Sequence, residues 1–313
     1  MAVSSGKSES EDTMETFDSK QVLTLQRTQE ADQAAWPQVV EAPSAQCAAK
    51  WIDTHTHHYD LPTREERQAC WQRAVDAGVT RMIQGGVDRR SIAPIARFCA
   101  EHPGSVFATL GLHPTEVFDN YEVELELMET ILNCGLASVW PAPDVRYVGV
   151  GEVGLDFYHD RRYEKEQMAA FRRQIAWARA FSLPLVLHIR SAFEEACKIL
   201  KEEQDGSLRG VFHCFGGSVG QARRAIDLGF HLGIGGVLTF KNAHLAETVA
   251  EVDLQHIVLE TDAPYLAPHP YRGQPNESRY IPLIGQKLAE IKGCSVEHVA
   301  AVTTRNALKL FGV

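Results

Sequence analysis

The chain has no Cys-x-x-Cys pair, no apolar run near the length of a membrane span and no surplus of basic residues. Each absence removes a class of function. Its seven cysteines (Cys47, Cys70, Cys99, Cys134, Cys197, Cys214 and Cys294) are dispersed and odd in number. That pattern predicts reduced thiols, packed as small core residues in a cytoplasmic protein, rather than a disulfide framework. A helix crossing a bilayer needs about 20 consecutive apolar residues, so no membrane association is expected. The N-terminus also lacks the basic flank and apolar core of a secretory signal. The net charge is −10, whereas a non-specific nucleic-acid clamp is usually basic. Contact with a polyanion therefore has to depend on local positive charge, such as bound metal. No segment marks an obligate protein partner.

Residues 1–48 differ from the rest. They hold two aromatics, Phe17 and Trp36, and three basic residues against eight acidic ones. Low hydrophobicity with an acidic excess predicts a disordered tail, with a weakly patterned helix near Ser19 to Ala35. The remaining 265 residues, 49–313, match the size of an eight-stranded α/β barrel, about 250 residues.

Within that body, apolar runs of strand length alternate with amphipathic stretches. Strands are expected at Trp51–His57, Val79–Val87, Val106–Leu112, Val145–Val153, Leu185–Ile189, Gly210–Phe215, within Phe230–Phe240 and at Ile257–Asp262. Helices fill the gaps, with Ser91 as an expected N-cap and Gly78 and Gly229 as helix-ending residues. The clearest helix, Glu164 to Phe181, carries an apolar stripe of Met168, Phe171, Ile175 and Ala178. Eight such β-α units predict a TIM (β/α)8 barrel. The runner-up, a doubly wound open sheet, would carry a glycine-rich phosphate turn after its first strand. Here that turn reads THTHHYD, without glycine.

Chemistry collects at the carboxyl ends of these strands, where such barrels place their active sites. Side chains alternate along a strand, so Asp53, His55 and His57 share a face. The third strand ends in His113, and Val148, Val150 and Glu152 share a side. So do Val186 and His188, Val211 and His213, and Val258, Glu260 and Asp262. One His at a strand end is commonly structural. Four imidazoles and two carboxylates aimed at one point predict metal. They are too many for one tetrahedral ion and suit two divalent cations sharing a carboxylate. Asp53 and Glu260 are expected to orient ligands. His58 is expected at the surface or in a supporting position, and Cys214 in packing.

The motifs DTHTH (Asp53 to His57), GLHP (Gly111 to Pro114), GEVGLDFY (Gly151 to Tyr158), LVLHIR (Leu185 to Arg190), FHCFGG (Phe212 to Gly217), ETDAPYL (Glu260 to Leu266) and RGQPNE (Arg272 to Glu277) run in order along the body. In this set the chain resembles the TatD family of metal-dependent deoxyribonucleases, within the amidohydrolase-like barrels. The resemblance implies one metal on His55, His57 and Asp262, another on His188 and His213, and Glu152 bridging both. It also implies substrate contacts from His113 and the Arg272 loop, and exonucleolytic trimming of 3′ ends, with single-stranded DNA or 3′ ends as partner. Ser278 departs from the commoner Asn-Glu-Pro and implies a looser loop.

Independently of the family, two dications outweigh Glu152 and Asp262 and leave the centre positive towards a phosphodiester. Water activated by the metal pair is the expected nucleophile, with Asp262 as general base. His113 and Arg272 would stabilise charge on the phosphoryl oxygens. Arg190 lies on the face of His188 and within reach of phosphate, and Tyr265 reads equally as a base-stacking ring or as packing. Ligand preference favours Zn²⁺ or Mn²⁺, and the family resemblance implies Mg²⁺. The same barrel and ligands also serve hydrolysis of C–N, lactone or other ester bonds. A non-catalytic scaffold is the third reading, and the complete ligand set counts against it.

Overall fold

The computed structural model describes residues 50–158 and 160–313. The expected tail and the helix near Ser19 lie outside the described residues. Eight strands form one parallel sheet in the order β1 to β8. They are β1 Trp51–Thr56, β2 Val79–Gln84, β3 Val106–Leu110, β4 Tyr147–Asp156, β5 Leu185–Arg190, β6 Gly210–Phe212, β7 Phe230–Ile234 and β8 Ile257–Leu259. Helices follow each strand: α1 Arg64–Asp76, α2 Arg89–Glu101, α3 Tyr121–Cys134, α4 Glu164–Ala180, α5 Phe193–Glu203, α6 Val219–Asp227, α7 Leu245–Glu251, and a closing pair, α8 Ile281–Lys292 and α9 Val296–Phe311. This is the expected (β/α)8 barrel.

The first and last strands are joined where the site lies. Thr56 bridges Ala263, the His57 amide donates to the Ala263 carbonyl at 2.7 Å, and the Asp262 amide donates to the His55 carbonyl at 2.9 Å. Barrel closure and ligand placement are therefore one set of hydrogen bonds.

Two apolar layers hold the strands. Inside, Ile52, Ile83, Val148, Val186, Val211 and Val258 pack together, and Leu310 and Phe311 of α9 join them. β-branched side chains dominate this interior, as expected for a barrel core. Outside, Val150, Val153 and Leu155 of β4 pack with Phe171, Ile175 and Ala178 of α4, so the stripe read from sequence is the face that α4 buries.

The local signals hold with particular exceptions. Gly78 and Gly229 follow helices with φ of 87° and 91°, a region open to glycine at little cost. The N-cap of α2 is Asp88, not Ser91. Asp88 accepts from the Arg90 and Ser91 amides, and Ser91 is the reciprocal partner three residues on. Strict alternation also fails in β4. Val148 lies inside and Val150 outside, because the register shifts opposite Ala108/Thr109 and again between Val150 and Val153. Such irregularities let a strand re-aim a side chain, and here they turn Glu152 into the barrel.

Candidate metal centre

His55, His57, His213 and Asp262 stand at strand ends or just beyond them, whereas Glu152 and His188 lie within β4 and β5. In β1 the ladder to β2 is irregular between Asp53 and Thr56, and the imidazoles of His55 and His57 meet with their Nε2 atoms 3.0 Å apart. Room for them comes from Gly85: a Cβ there would sit 2.6 Å from His55 Cε1 and 2.9 Å from His57 Cε1. Asp262 lies three residues beyond β8 with φ of 56°. Its Oδ1 is 3.4 Å from His57 Nε2, 3.7 Å from His55 Nε2 and 3.8 Å from His213 Nε2.

Glu152 sits at the middle of this group. Its Oε2 faces His55 Nε2 at 3.2 Å and His57 Nε2 at 3.6 Å. Its Oε1 faces His188 Nδ1 at 2.9 Å, His113 Nε2 at 3.3 Å and His213 Nε2 at 3.5 Å. One carboxylate thus divides its two oxygens between two sets of imidazoles. Ligand atoms of His55, His57 and Asp262 lie within 4.8 Å of one another, as do those of His113, Glu152 and His188, and those of His55, Glu152 and His213. All six residues expected to hold metal converge. His113, assigned to substrate from sequence, stands beside His188 on the same Glu152 oxygen.

Burial at this depth opposes every charge, so the charges present must be held by one another. Burial alone would raise Glu152, but His113, His213 and His55 hold it well below the usual carboxylate range. Burial would lower His213, yet Glu260, Glu152 and Asp262 lift it to about 10. Burial is likewise overcome at His188 by hydrogen bonds to Asp156 and Glu152, which lift it to about 9. A ring charged in this way also carries a proton on the nitrogen that faces Glu152, which a cation would need, so metal and proton compete. Imidazole and carboxylate donors aimed at common points with few other partners fit divalent cations. His55, His57 and Asp262 would hold one, and His188 and His213 another, with Glu152 facing both sets.

Two acids brace the imidazoles from behind. Glu260 Oε1 lies 3.0 Å from His213 Nδ1 and accepts from the Cys214 amide at 2.5 Å. Its other oxygen fits against Gly233, where a Cβ would fall 2.2 Å away. Asp156 Oδ2 is 2.9 Å from His188 Nε2, so His188 spans Asp156 and Glu152. Asp156 was missed from sequence, although it lies four residues after Glu152 on one strand.

Four expectations change. Asp53 does not brace an imidazole. Its carboxylate accepts from the His55 and Thr261 amides, the Thr261 hydroxyl and the Ser278 hydroxyl, and so ties together the backbones that carry His55 and Asp262. His58 is not at the surface. It is buried, 2.8 Å from the Ser278 hydroxyl and 3.5 Å from Cys70 Sγ. Ser278 therefore does not loosen its loop: it is fully buried between Asp53 and His58, and Glu277 beside it accepts two bonds from Arg73. Cys214 is not confined to packing. β6 ends at Phe212, Cys214 has φ of 47°, and its sulfur stands within 4.8 Å of ligand atoms of His213 and Asp262.

The centre opens into a cavity of about 930 Å³, whose wall includes His113, Glu152, His188, Arg190, His213, Asp262 and Tyr265. Arg190 and Tyr265 are thus where a substrate would pass. Arg272 is not among the described residues of that wall. It is exposed, and its guanidinium lies over the Phe240 ring at 4.2 Å.

Comparison with known proteins gives a consistent set. The profile of the TatD related DNase family matches residues 52–312. The metal-dependent hydrolase YabD of Bacillus subtilis is 35% identical over 267 residues, covering 84% of this chain and 99% of that protein. The crystal structure of YjjV, a TatD homolog from Escherichia coli, superposes with a TM-score of 0.77 at 29% identity, over 85% of this chain and all of that one. A phosphotriesterase homology protein from Escherichia coli, solved with phosphate in its active site, gives a TM-score of 0.64 at 12% identity over 85% of this chain and 99% of that one. At that identity the likeness is one of fold.

Proposed function

The chain belongs to the TatD-related DNase family and is a metal-dependent hydrolase, and on that premise we propose that it hydrolyses phosphodiester bonds of DNA at two divalent cations, removing nucleotides from 3′ ends. The observation that supports this best is the division of Glu152 between two imidazole sets. One shared carboxylate is the arrangement a pair of cations needs, and such pairs serve phosphoryl transfer by clamping the attacking and leaving oxygens. When bound, the cations supply Lewis acidity and lower the pKa of water.

The chain's own residues do the rest. Asp262, less buried than Glu152 and at the cavity wall, takes the proton of the attacking water. Glu152 holds both ligand sets in register. Glu260 and Asp156 fix the rings of His213 and His188, as carboxylates behind metal-bound imidazoles do. His113 and Arg190 face the cavity and stabilise charge that grows on the phosphoryl oxygens, and guanidinium suits two-point contact with phosphate. Arg272, outside the wall, takes no part in this step.

The test is turnover. Purified protein with Mn²⁺ or Mg²⁺ should shorten a 5′-labelled single-stranded oligonucleotide stepwise, and EDTA-treated protein should leave it intact. Cleavage of lactone or amide panels with DNA spared would replace this reading with the acyl-hydrolase one.

A further inference from the structure

The rim around the cavity is uneven in charge and in apolar surface. Over β1 to β3 its wall carries Asp60, Asp88 and Glu116. Among the described residues the one cation of that part of the wall, Arg90, is clasped by Asp88 and by Glu116, the latter at 3.0 Å. That side repels a polyanion. Over β5 stands Arg190, its guanidinium stacked 3.9 Å from the centre of the Tyr158 ring, which follows β4. Over β8 stands Tyr265, with its ring 6.3 Å from that of His57. Tyr158 is 61% exposed and Tyr265 58% exposed. Large apolar rings left in water beside a catalytic cavity mark a binding surface.

In a barrel ordered β1 to β8, β4 and β8 face each other across the axis. The two tyrosines therefore occupy opposite rims, with Glu152 between them. The geometry points to two base-stacking platforms, Tyr265 on one side of the scissile phosphate and the Tyr158–Arg190 pair on the other. Each takes one unpaired nucleotide of a single DNA strand that runs from the β8 rim to the β4–β5 rim and avoids the acidic rim. This assignment rests on the DNA reading above. Every base has a π-face, so stacking is tolerant of sequence, and the guanidinium lying flat on Tyr158 adds its cationic face to the stack while its N–H edge serves the phosphate. A base inside a duplex has both faces covered by its neighbours, so only an unpaired or frayed end offers faces to both platforms.

The assignment is tested with a dinucleotide whose linking phosphate is replaced by a methylenephosphonate that water does not cleave. 2-Aminopurine is placed first on one side of the linkage, then on the other. With Mn²⁺-loaded protein, both probes should lose fluorescence on binding. Tyr265→Ala should restore fluorescence at one position only and Tyr158→Ala at the other, each weakening binding about tenfold. Asp60→Asn should restore fluorescence at neither position, and Tyr158→Phe should behave as wild type, which separates a lost ring from a damaged fold. Unchanged quenching in both alanine variants, equal effects at both positions, or no binding by wild type overturns the platforms. If plain single-stranded DNA is still cut in those cases, the platforms alone fall. If it is not cut, the DNA reading falls with them.

Discussion

The two ends of the barrel are built from the same strands and obey different rules. At the amino-terminal end the inward residues are Ile52, Val148, Val186, Val211 and Val258, capped by Leu310 and Phe311. Two to four residues further along those strands or their extensions come His55, Glu152, His188, His213 and Glu260. The lower half is held by apolar packing, and any similar side chain of the right volume serves. The upper half buries charges and imidazoles whose partners are one another, and there each donor is specific. One set of strands thus separates stability from chemistry along its own length.

That separation can be broken at either end. Glu152→Ala is expected to have the largest effect, because it removes both oxygens that the two imidazole sets share. Turnover should fall about a thousandfold or more, with far-ultraviolet circular dichroism unchanged. DNA turnover at the wild-type rate would mean that Glu152 is not shared. Phe311→Ala at the opposite end should cost about 3–5 kcal/mol of stability, read by urea denaturation, while turnover per folded chain stays at the wild-type value. Lost turnover at full stability would show that the two ends are not independent. Asp156→Asn sharpens the comparison within the upper half. It keeps the hydrogen bond to His188 but removes the charge, so metal affinity measured by calorimetry should weaken about 10- to 100-fold without loss of fold. Equal affinity would leave Asp156 with no role behind the ring.

Much of this was legible in the sequence. The eight-unit alternation gave the barrel, and the six metal-binding candidates were found because polar residues interrupt apolar strands at one end. What stayed hidden has local causes. The strand period assigns one face to Asp53, His55 and His57, but the irregular ladder in β1 sends Asp53 to Thr261 and Ser278 instead. The same period places Cys214 away from the centre, but β6 stops before it and a positive φ brings it back. Asp156 was missed because β4 runs three residues beyond its apolar run. Arg272 was given to the cavity by resemblance, and the fold lays it on Phe240 instead. In each case long-range backbone contacts decide, and no pattern in a single strand records them.

The most direct test is a Mn²⁺ titration of metal-stripped protein followed by electron paramagnetic resonance. Two ions per chain, giving the exchange-coupled signal of a pair about 3.5–4 Å apart, are expected in the wild type, with coupling lost in Glu152→Ala. A single ion per chain, or two uncoupled ions in the wild type, would contradict the shared carboxylate on which the account rests.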